Sequence, residues 1–207
     1  DSQYHFVNSI VHRVPRDHQM IYMSATNQVD VDALVENTIS IDLSEQKLDQ
    51  IAHYYITVDK RDRLDLLRKF SNTPDFRGLV FFNNLSDLGA AEERLQFNHA
   101  SAVSLASDVN VKFRKIILEK FKNHEISLLL ATDLVARGID IDNLECVLNF
   151  DLARDKETYT HRAGRTGRMG KAGVVITFIT HPEELKKLKK YASVSEVYLK
   201  NQELHLK

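Results

Sequence analysis

The chain has 207 residues, enough for one domain of ordinary size or for one domain with part of another. Hydrophobic residues make up 43% and charged residues 28%, which excludes a disordered, collagen-like or membrane-spanning chain. The net charge is −1, so the overall charge indicates no polyanionic partner. The single cysteine, Cys146, lies in an apolar run, which predicts a buried core residue and favours a reducing, cytoplasmic compartment.

The N-terminal part of the chain predicts one short passage of secondary structure. The predicted elements are a helix at 3–13, a strand at 19–23, the tripeptide Ser24-Ala25-Thr26, a helix at 29–36 and an extended segment at 39–43. This passage is too short to form a domain and is followed by a linker. We therefore expect residues 1–43 to be the tail of a preceding domain and residues 44–207 to form a second domain.

In the second domain, short apolar strands alternate with amphipathic helices. Strands are predicted at 51–58, 79–82, 102–105, 127–131, 146–150 and 174–179, and helices at 60–70, 86–97, 111–121, 155–164 and 182–192. Ser86 and Asp155 are expected N-caps, and Pro182 suits a first helical position. This alternation predicts an α/β fold, a parallel sheet with helices on both faces in three αβα layers. Such sheets bind ligands at the carboxyl ends of their strands.

Arginine and glycine concentrate in one short region at the end of the predicted helix at 155–164. The string from His161 to Arg168 contains Arg162, Arg165 and Arg168, and Gly164 and Gly167 separate them. Guanidinium groups bind phosphate oxygens bidentately and stay charged at any relevant pH. The string therefore predicts a phosphate site rather than a solvated helix end.

A second polar string, from Ala131 to Asp140, directly follows the predicted strand at 127–131. It offers a hydroxyl, carboxylates, a guanidinium and backbone N–H groups where ligands are expected. These groups suit a ribose-phosphate ligand. Taken alone, the string has a less favoured alternative, a polar turn with a helix cap at Asp133.

Together these strings resemble motifs of the DEAD-box family of superfamily 2 RNA helicases. Ser24 to Thr26 resembles motif III, Leu79 to Phe82 motif IV, Ala131 to Asp140 motif V, and His161 to Arg168 motif VI. The four motifs occur in the family order and span most of the chain. The resemblance implies a RecA-like C-terminal helicase domain preceded by the last elements of the first domain.

The resemblance also implies a role for each matching residue. Arg165 and Arg168 would be arginine fingers on the γ-phosphate of ATP, and Asp140 would contact the ribose. His161 and Arg162 would bridge to Ser24 and Thr26 of the first domain. Thr132, Asp133, Arg137 and Gly138 would contact the RNA sugar-phosphate backbone, which gives sequence-independent binding.

Two family motifs are absent from the 207 residues: the phosphate-binding G-x-x-x-x-G-K-[ST] loop and the sequence Asp-Glu-Ala-Asp. In the family these residues hold ATP with its Mg²⁺ ion. We therefore expect both to be bound mainly by the first domain. The 207-residue chain is expected to be inactive alone and to form part of an ATP-dependent RNA helicase.

The chain departs from the family pattern at several positions. The usual Gln-x-x-Arg segment reads Val111-Lys112-Phe113-Arg114, which keeps only the arginine. Arg114 is thus either a further RNA phosphate contact or an exposed helix residue. The substitutions elsewhere are Ala106-Ser107 for His-Gly, Ala153 for a proline and Ala163 for an isoleucine.

Other functions remain open from the sequence. The chain could be a non-catalytic RNA-binding module of the same fold, although Arg165, Arg168 and Asp140 serve ATP in the family. A DNA-directed motor of the same superfamily is the other alternative. The lysine cluster from Lys186 to Lys190 is expected to be the solvated face of a helix. Partner proteins cannot be identified from the sequence.

Overall fold

The computed structural model describes residues 2–15, 19, 21, 51–105, 111–136, 144–167 and 171–207. The chain divides into two compact units, Asp1–Lys47 and Leu48–Lys207, and each is described by itself. In the first unit, helix α1 spans Ser2–Val11 and exposes Phe6 and Ile10. The predicted strand at 19–23 lies largely outside the described residues, and Ser24-Ala25-Thr26 and the later elements of this unit lie wholly outside them. None of the described helices is long and apolar enough to cross a membrane.

The second unit contains a sheet of eight strands in the order β3-β4-β2-β5-β6-β1-β7-β8. Its elements are β1 (Ile51–Thr57), a 3₁₀ turn (Lys60–Asp62), α2 (Arg63–Ser71), β2 (Gly78–Phe82), α3 (Leu85–Phe97), β3 (Ala102–Ser104), α4 (Val111–Lys122), β4 (Leu128–Thr132), α5 (Asp133–Ala136), β5 (Cys146–Asn149), α6 (Lys156–Ala163), β6 (Gly173–Ile179), α7 (Pro182–Leu188), β7 (Ser195–Lys200) and β8 (Glu203–Leu206). Seven strands are parallel, and only β8 pairs antiparallel, with β7. All six predicted strands are present, each within one residue of its predicted ends.

The sheet is buried on both faces, as strand β2 shows. Leu79 and Phe81 pack in one apolar cluster with residues of α4, α5, α6 and α7. Val80 and Phe82 pack in a second cluster with residues of α2 and α3. Because neighbouring side chains of a strand point to opposite faces, both faces must be covered by helices. The predicted three-layer α/β fold is confirmed.

The helix starts are confirmed at two of three predicted positions. The side chain of Asp155 accepts a hydrogen bond from the N–H of Thr158 at 2.7 Å, and Pro182 is the first residue of α7. The prediction for α3 is wrong: the N-cap is Asn84, which accepts from the N–H of Asp87 at 2.8 Å. Asn84 is extended, whereas Ser86 already lies in the first helical turn. Asparagine and serine cap equally well, so composition could not separate them.

Two further predictions about single segments hold. Cys146 is buried in the sheet, and burial raises the pKa of its thiol, as expected of a core residue. Near α7, Lys186, Lys187, Lys189 and Lys190 are exposed while Leu188 is fully buried. The helix itself ends at Leu188 rather than at residue 192.

The β7–β8 hairpin was not predicted. Its turn, Asn201-Gln202, places both residues at positive φ, 50° and 66°. Such two-residue turns commonly contain glycine at the second position, and this one has glutamine. The hairpin therefore lacks the sequence signal that usually identifies one.

Candidate functional site

Polar residues collect where three neighbouring strands of the sheet end. Thr132 ends β4 and Asp133 begins α5, Asn83 follows β2, and Asn149 ends β5. Since these parallel strands are adjacent in the sheet, their carboxyl ends meet at one edge. This is the edge at which sheets of this class bind ligands.

The side chain of Arg162, from α6, lies at the centre of this polar cluster with 1% of its surface exposed. Its five N–H groups all have acceptors inside the domain. The five acceptors are Asp133 Oδ1 at 2.7 Å, Asp133 Oδ2 at 2.8 Å, Asn83 Oδ1 at 2.8 Å, Asn149 Oδ1 at 3.1 Å and the carbonyl oxygen of Asp151 at 2.8 Å.

This arrangement satisfies the requirements of a buried cation. Asp133 supplies the compensating charge through a bidentate pair, and neutral oxygens take the remaining donors. The guanidinium also lies 5.0 Å from the centre of the Phe81 ring. Arg162 therefore connects the segment after β4 to the helix that carries the other arginines.

A second arginine contacts the cluster from the opposite face of the sheet. Arg63, at the start of α2, donates to Asp151 Oδ1 at 2.8 Å and to the carbonyl of Phe150 at 3.0 Å. Its guanidinium lies 4.2 Å from the centre of the Phe150 ring. The other carboxylate oxygen of Asp151 accepts the N–H of Asn83 at 3.1 Å. The loop after β5 is thus held from both faces of the sheet.

Four residues of this cluster were not predicted from the sequence, namely Asn83, Asn149, Asp151 and Arg63. A signal existed for three of them. Asn83 directly follows one predicted strand, and Asn149 and Asp151 lie at the end of another, where chemistry was expected. Arg63 gave no signal because it is a charged residue near the start of a helix, an ordinary solvent-facing position.

The loop that carries Arg165 is anchored at the opposite end of the strands. Thr166 is buried, and its single hydroxyl proton is shared between the carbonyl oxygens of Leu144 and Glu145, which lie just before β5. Gly167 has φ +68°, which favours glycine, and a Cβ there would lie 2.5 Å from Ile51 Cγ1. The backbone of this loop is therefore closely packed against the sheet.

A cleft lies beside the polar cluster on the α5 and α6 side of the sheet. It is lined by Phe81, Asp133, Ala136, Thr158, His161, Arg162 and Arg165. His161 is exposed and Arg165 is half-buried. His161 and Arg165 thus both line the cleft, whereas every N–H group of Arg162 is bound within the domain.

The other predicted site residues fall into two groups. Thr132 is buried, and Arg114 donates to the carbonyl of Val135 at 2.9 Å, which links α4 to α5. Six predicted residues lie outside the described part of the chain, and these are Ser24, Thr26, Arg137, Gly138, Asp140 and Arg168.

Two residues, Arg162 and Asp133, have hydrogen-bond partners in the structure that differ from those the resemblance implies. Every N–H of Arg162 has an acceptor in this domain, whereas the resemblance implies a bridge to Ser24 and Thr26, which lie outside the described residues. Both carboxylate oxygens of Asp133, an implied RNA contact, accept from Arg162. The physical reason is the same for both: a buried guanidinium needs a full set of acceptors.

No metal-binding cluster occurs in the described residues: no three His, Cys, Asp or Glu side chains come close enough to hold an ion. Asp133, the acidic residue of the cleft, uses both oxygens for Arg162.

Comparisons with known proteins identify the family. Residues 59–170 match the helicase conserved C-terminal domain. The probable ATP-dependent RNA helicase YfmL of Bacillus subtilis is 34% identical over 166 residues, which cover 77% of this chain and 44% of YfmL. The DEAD-box ATP-dependent RNA helicase CshC of Bacillus cereus is 32% identical over 204 residues, 96% of this chain and 52% of CshC. The chain thus spans about half the length of these curated relatives.

A solved structure gives the same answer for the fold. The C-terminal domain of the DEAD-box protein Dbp5 superposes with a TM-score of 0.63 at 26% identity, and the match covers 73% of this chain and 92% of that domain. The predicted resemblance is confirmed. The chain belongs to the helicase conserved C-terminal domain family and contains a RecA-like second domain of the DEAD-box type.

Proposed function

We propose that this chain serves as the C-terminal half of an ATP-dependent RNA helicase. The relatives YfmL and CshC are named for that activity, and this chain corresponds to about half of each. On this proposal, residues 1–43 are the tail of the first helicase domain. That domain holds ATP and Mg²⁺, and the two domains close on the nucleotide.

The polar cluster around Arg162 is the observation that carries the proposal. It joins Asp133, at the start of the motif V segment, to α6, which leads into the motif VI loop. The motif V segment, which would bind RNA, is thus connected through Arg162 to the helix that leads to the arginines that would contact ATP. An RNA-stimulated hydrolase needs such a connection between its two sites.

On the ATP side, Arg165 and Arg168 would contact the γ-phosphate. Hydrolysis spreads negative charge over the transferred phosphoryl oxygens, and a guanidinium held close to them stabilises the transition state. The anchoring of Thr166 to the carbonyls before β5 supports such a fixed position for Arg165. Asp140 would bind the ribose, and His161 would make the contact to Ser24 and Thr26.

On the RNA side, Thr132, Arg137, Gly138 and Arg114 would contact the sugar-phosphate backbone. The contact by Asp133 would be indirect, since its carboxylate binds Arg162 and would repel phosphate. Its part is to hold the start of α5 in place. Backbone contacts of this kind carry no sequence information, so the bound RNA would be recognised by shape.

The test is ATP turnover by the complete parent protein, with and without single-stranded RNA or DNA, for the wild type and Arg165→Ala. We expect RNA but not DNA to stimulate turnover, and the variant to lose about 10³-fold, as for other arginine fingers. Arg94→Ala is the matched control, because Arg94 is exposed on α3, far along the chain from both motifs. If RNA does not stimulate turnover, or if Arg165→Ala keeps the wild-type turnover, the proposal is contradicted and a non-catalytic RNA-binding module is favoured.

A further inference from the structure

The two edges of the eight-stranded sheet are protected differently. At the β3 edge, Glu92 Oε1 accepts the N–H of Ser104 at 2.7 Å, and Gln96 Nε2 donates to the carbonyl of Ala102 at 3.3 Å. Helix α3 thus covers the outward backbone groups of β3. An edge covered in this way cannot add another strand.

The β8 edge has no such cover in the described part of the chain. The N–H of Lys207 binds the carbonyl of Glu196, so the backbone of residues 203, 205 and 207 faces β7. By alternation, the N–H and C=O groups of Leu204 and Leu206 face away from the sheet. Among the described residues, no side chain hydrogen-bonds to these outward groups.

The open edge is also apolar on one face. The side chains of Leu204 and Leu206 are 40% and 70% exposed. They lie opposite Leu199 and Val197, which pack in the apolar cluster beneath α2 and α3. The two leucines therefore continue the apolar face of β7 onto the edge strand β8. Unpaired backbone next to exposed apolar side chains is a template for a further strand.

The β8 sequence is complementary to itself. In an antiparallel pair of two copies centred on His205, Leu204 lies opposite Leu206 of the second copy. In the same register Glu203 lies opposite Lys207 of the second copy, which places opposite charges together. Glu203 and Lys207 side chains are 78% and 65% exposed, and their contacts within the chain, to His205 at 4.0 Å and Glu196 at 3.0 Å, are at the surface. Both can reach across such a pair.

The backbone fits the same register. Leu204 and Leu206 are the residues whose N–H and C=O groups face outward, so they exchange both hydrogen bonds with their counterparts. We propose that β8 pairs antiparallel with β8 of a second copy of this chain, about a two-fold axis at His205. The four leucines then form one continuous apolar strip. The pairing is isologous and closes on itself, so it gives a dimer and not a fibre.

The interface is small. A five-residue strand from each copy buries less than the roughly 1,200 Å² of a standard stable interface. The dimer is therefore reversible and forms as the protein concentration rises.

The test begins with sedimentation of the 207-residue chain from low micromolar to millimolar concentration. We expect the mass to rise from the monomer value toward twice that value. Leu206→Pro removes an outward N–H that β7 does not use, so the variant is expected to stay monomeric with unchanged circular dichroism. Lys190→Glu on the exposed face near α7 changes charge elsewhere and is expected to dimerise like the wild type.

A charge-reversal cycle tests the register without proline. Glu203→Lys and Lys207→Glu each place like charges opposite one another and are expected to weaken the dimer several-fold. The double variant restores opposite charges and is expected to restore dimerisation. A double variant as weak as either single one would overturn the proposed register. If the wild-type chain stays monomeric at every concentration tested, the dimer is ruled out. The open β8 edge would then be a site for a strand of another protein.

Discussion

Arg162 belongs to a string whose arginine spacing favours phosphate, yet its side chain points into the domain. The structure separates two arginines of the string by burial: Arg162 is 1% exposed, whereas Arg165 is half-buried. Sequence spacing cannot make this distinction, because it depends on oxygens from three other segments. Those acceptors come from Asn83, Asp133 and the stretch from Asn149 to Asp151.

The saturation of Arg162 gives a prediction at the residue scale. Arg162→Lys keeps the charge but has only three donors without the planar fork, so buried oxygens lose their partners. We expect the free energy of unfolding to fall by about 2–4 kcal/mol. Urea denaturation of the 207-residue chain measures this. Arg154→Lys, at an exposed arginine with one 3.3 Å hydrogen bond, is the control and should change it by less than about 0.5 kcal/mol. An Arg162→Lys value equal to the control would contradict the structural role.

At the scale of elements, helix α3 protects the short edge strand β3. Glu92 binds both the N–H and the hydroxyl of Ser104, at 2.7 and 2.6 Å, and Gln96 reaches both Glu92 and the carbonyl of Ala102. Glutamate on a helix is normally a solvent-facing residue. Here the carboxylate takes the place of a neighbouring strand.

We therefore expect Glu92→Ala to lower the free energy of unfolding by about 1–2 kcal/mol, because it removes charge-assisted hydrogen bonds. It should also speed amide hydrogen exchange at Ser104 specifically, since that N–H loses its acceptor. Glu93→Ala, at the exposed neighbouring position, serves as the control. Unchanged exchange at Ser104 in Glu92→Ala would show that the side chain does not cover this edge.

For the whole molecule, the sequence predicted best what depends on local pattern. Doubly buried strands such as β2 and β4 are short apolar runs, and their ends were predicted within one residue. The β7–β8 hairpin was missed because only Val197 is fully buried there and its turn lacks glycine. The motifs predicted candidate site residues, but the oxygens that hold Arg162 come together only in the folded sheet. Long-range placement of this kind leaves no local pattern.

The response of the whole domain to acid follows from groups in separate elements. Burial lowers the pKa of His53 below its ordinary value of 6.5, and His53 Nδ1 shares a hydrogen bond with the Tyr159 hydroxyl at 2.8 Å. The unfolded chain therefore binds a proton that the folded chain does not. The stability that comes from keeping His53 neutral is fully present above pH 6.5 and declines as the pH falls through that value. The carboxylates act at lower pH: the N–H of Thr158 lowers the pKa of Asp155, and Lys69 lowers that of Asp65.

We expect the free energy of unfolding, measured by urea denaturation, to decrease in two stages as the pH falls. The first stage, between about pH 7.5 and 5.5, arises from His53 and should be flattened in His53→Gln. The second, below about pH 4.5, arises from the carboxylates, whose stabilisation is lost when they take up protons, and should persist in that variant. His161→Gln, which replaces a solvent-exposed histidine, is the matched control for the first stage. An equal slope in His53→Gln and the wild type would mean that the burial of His53 does not govern the first stage.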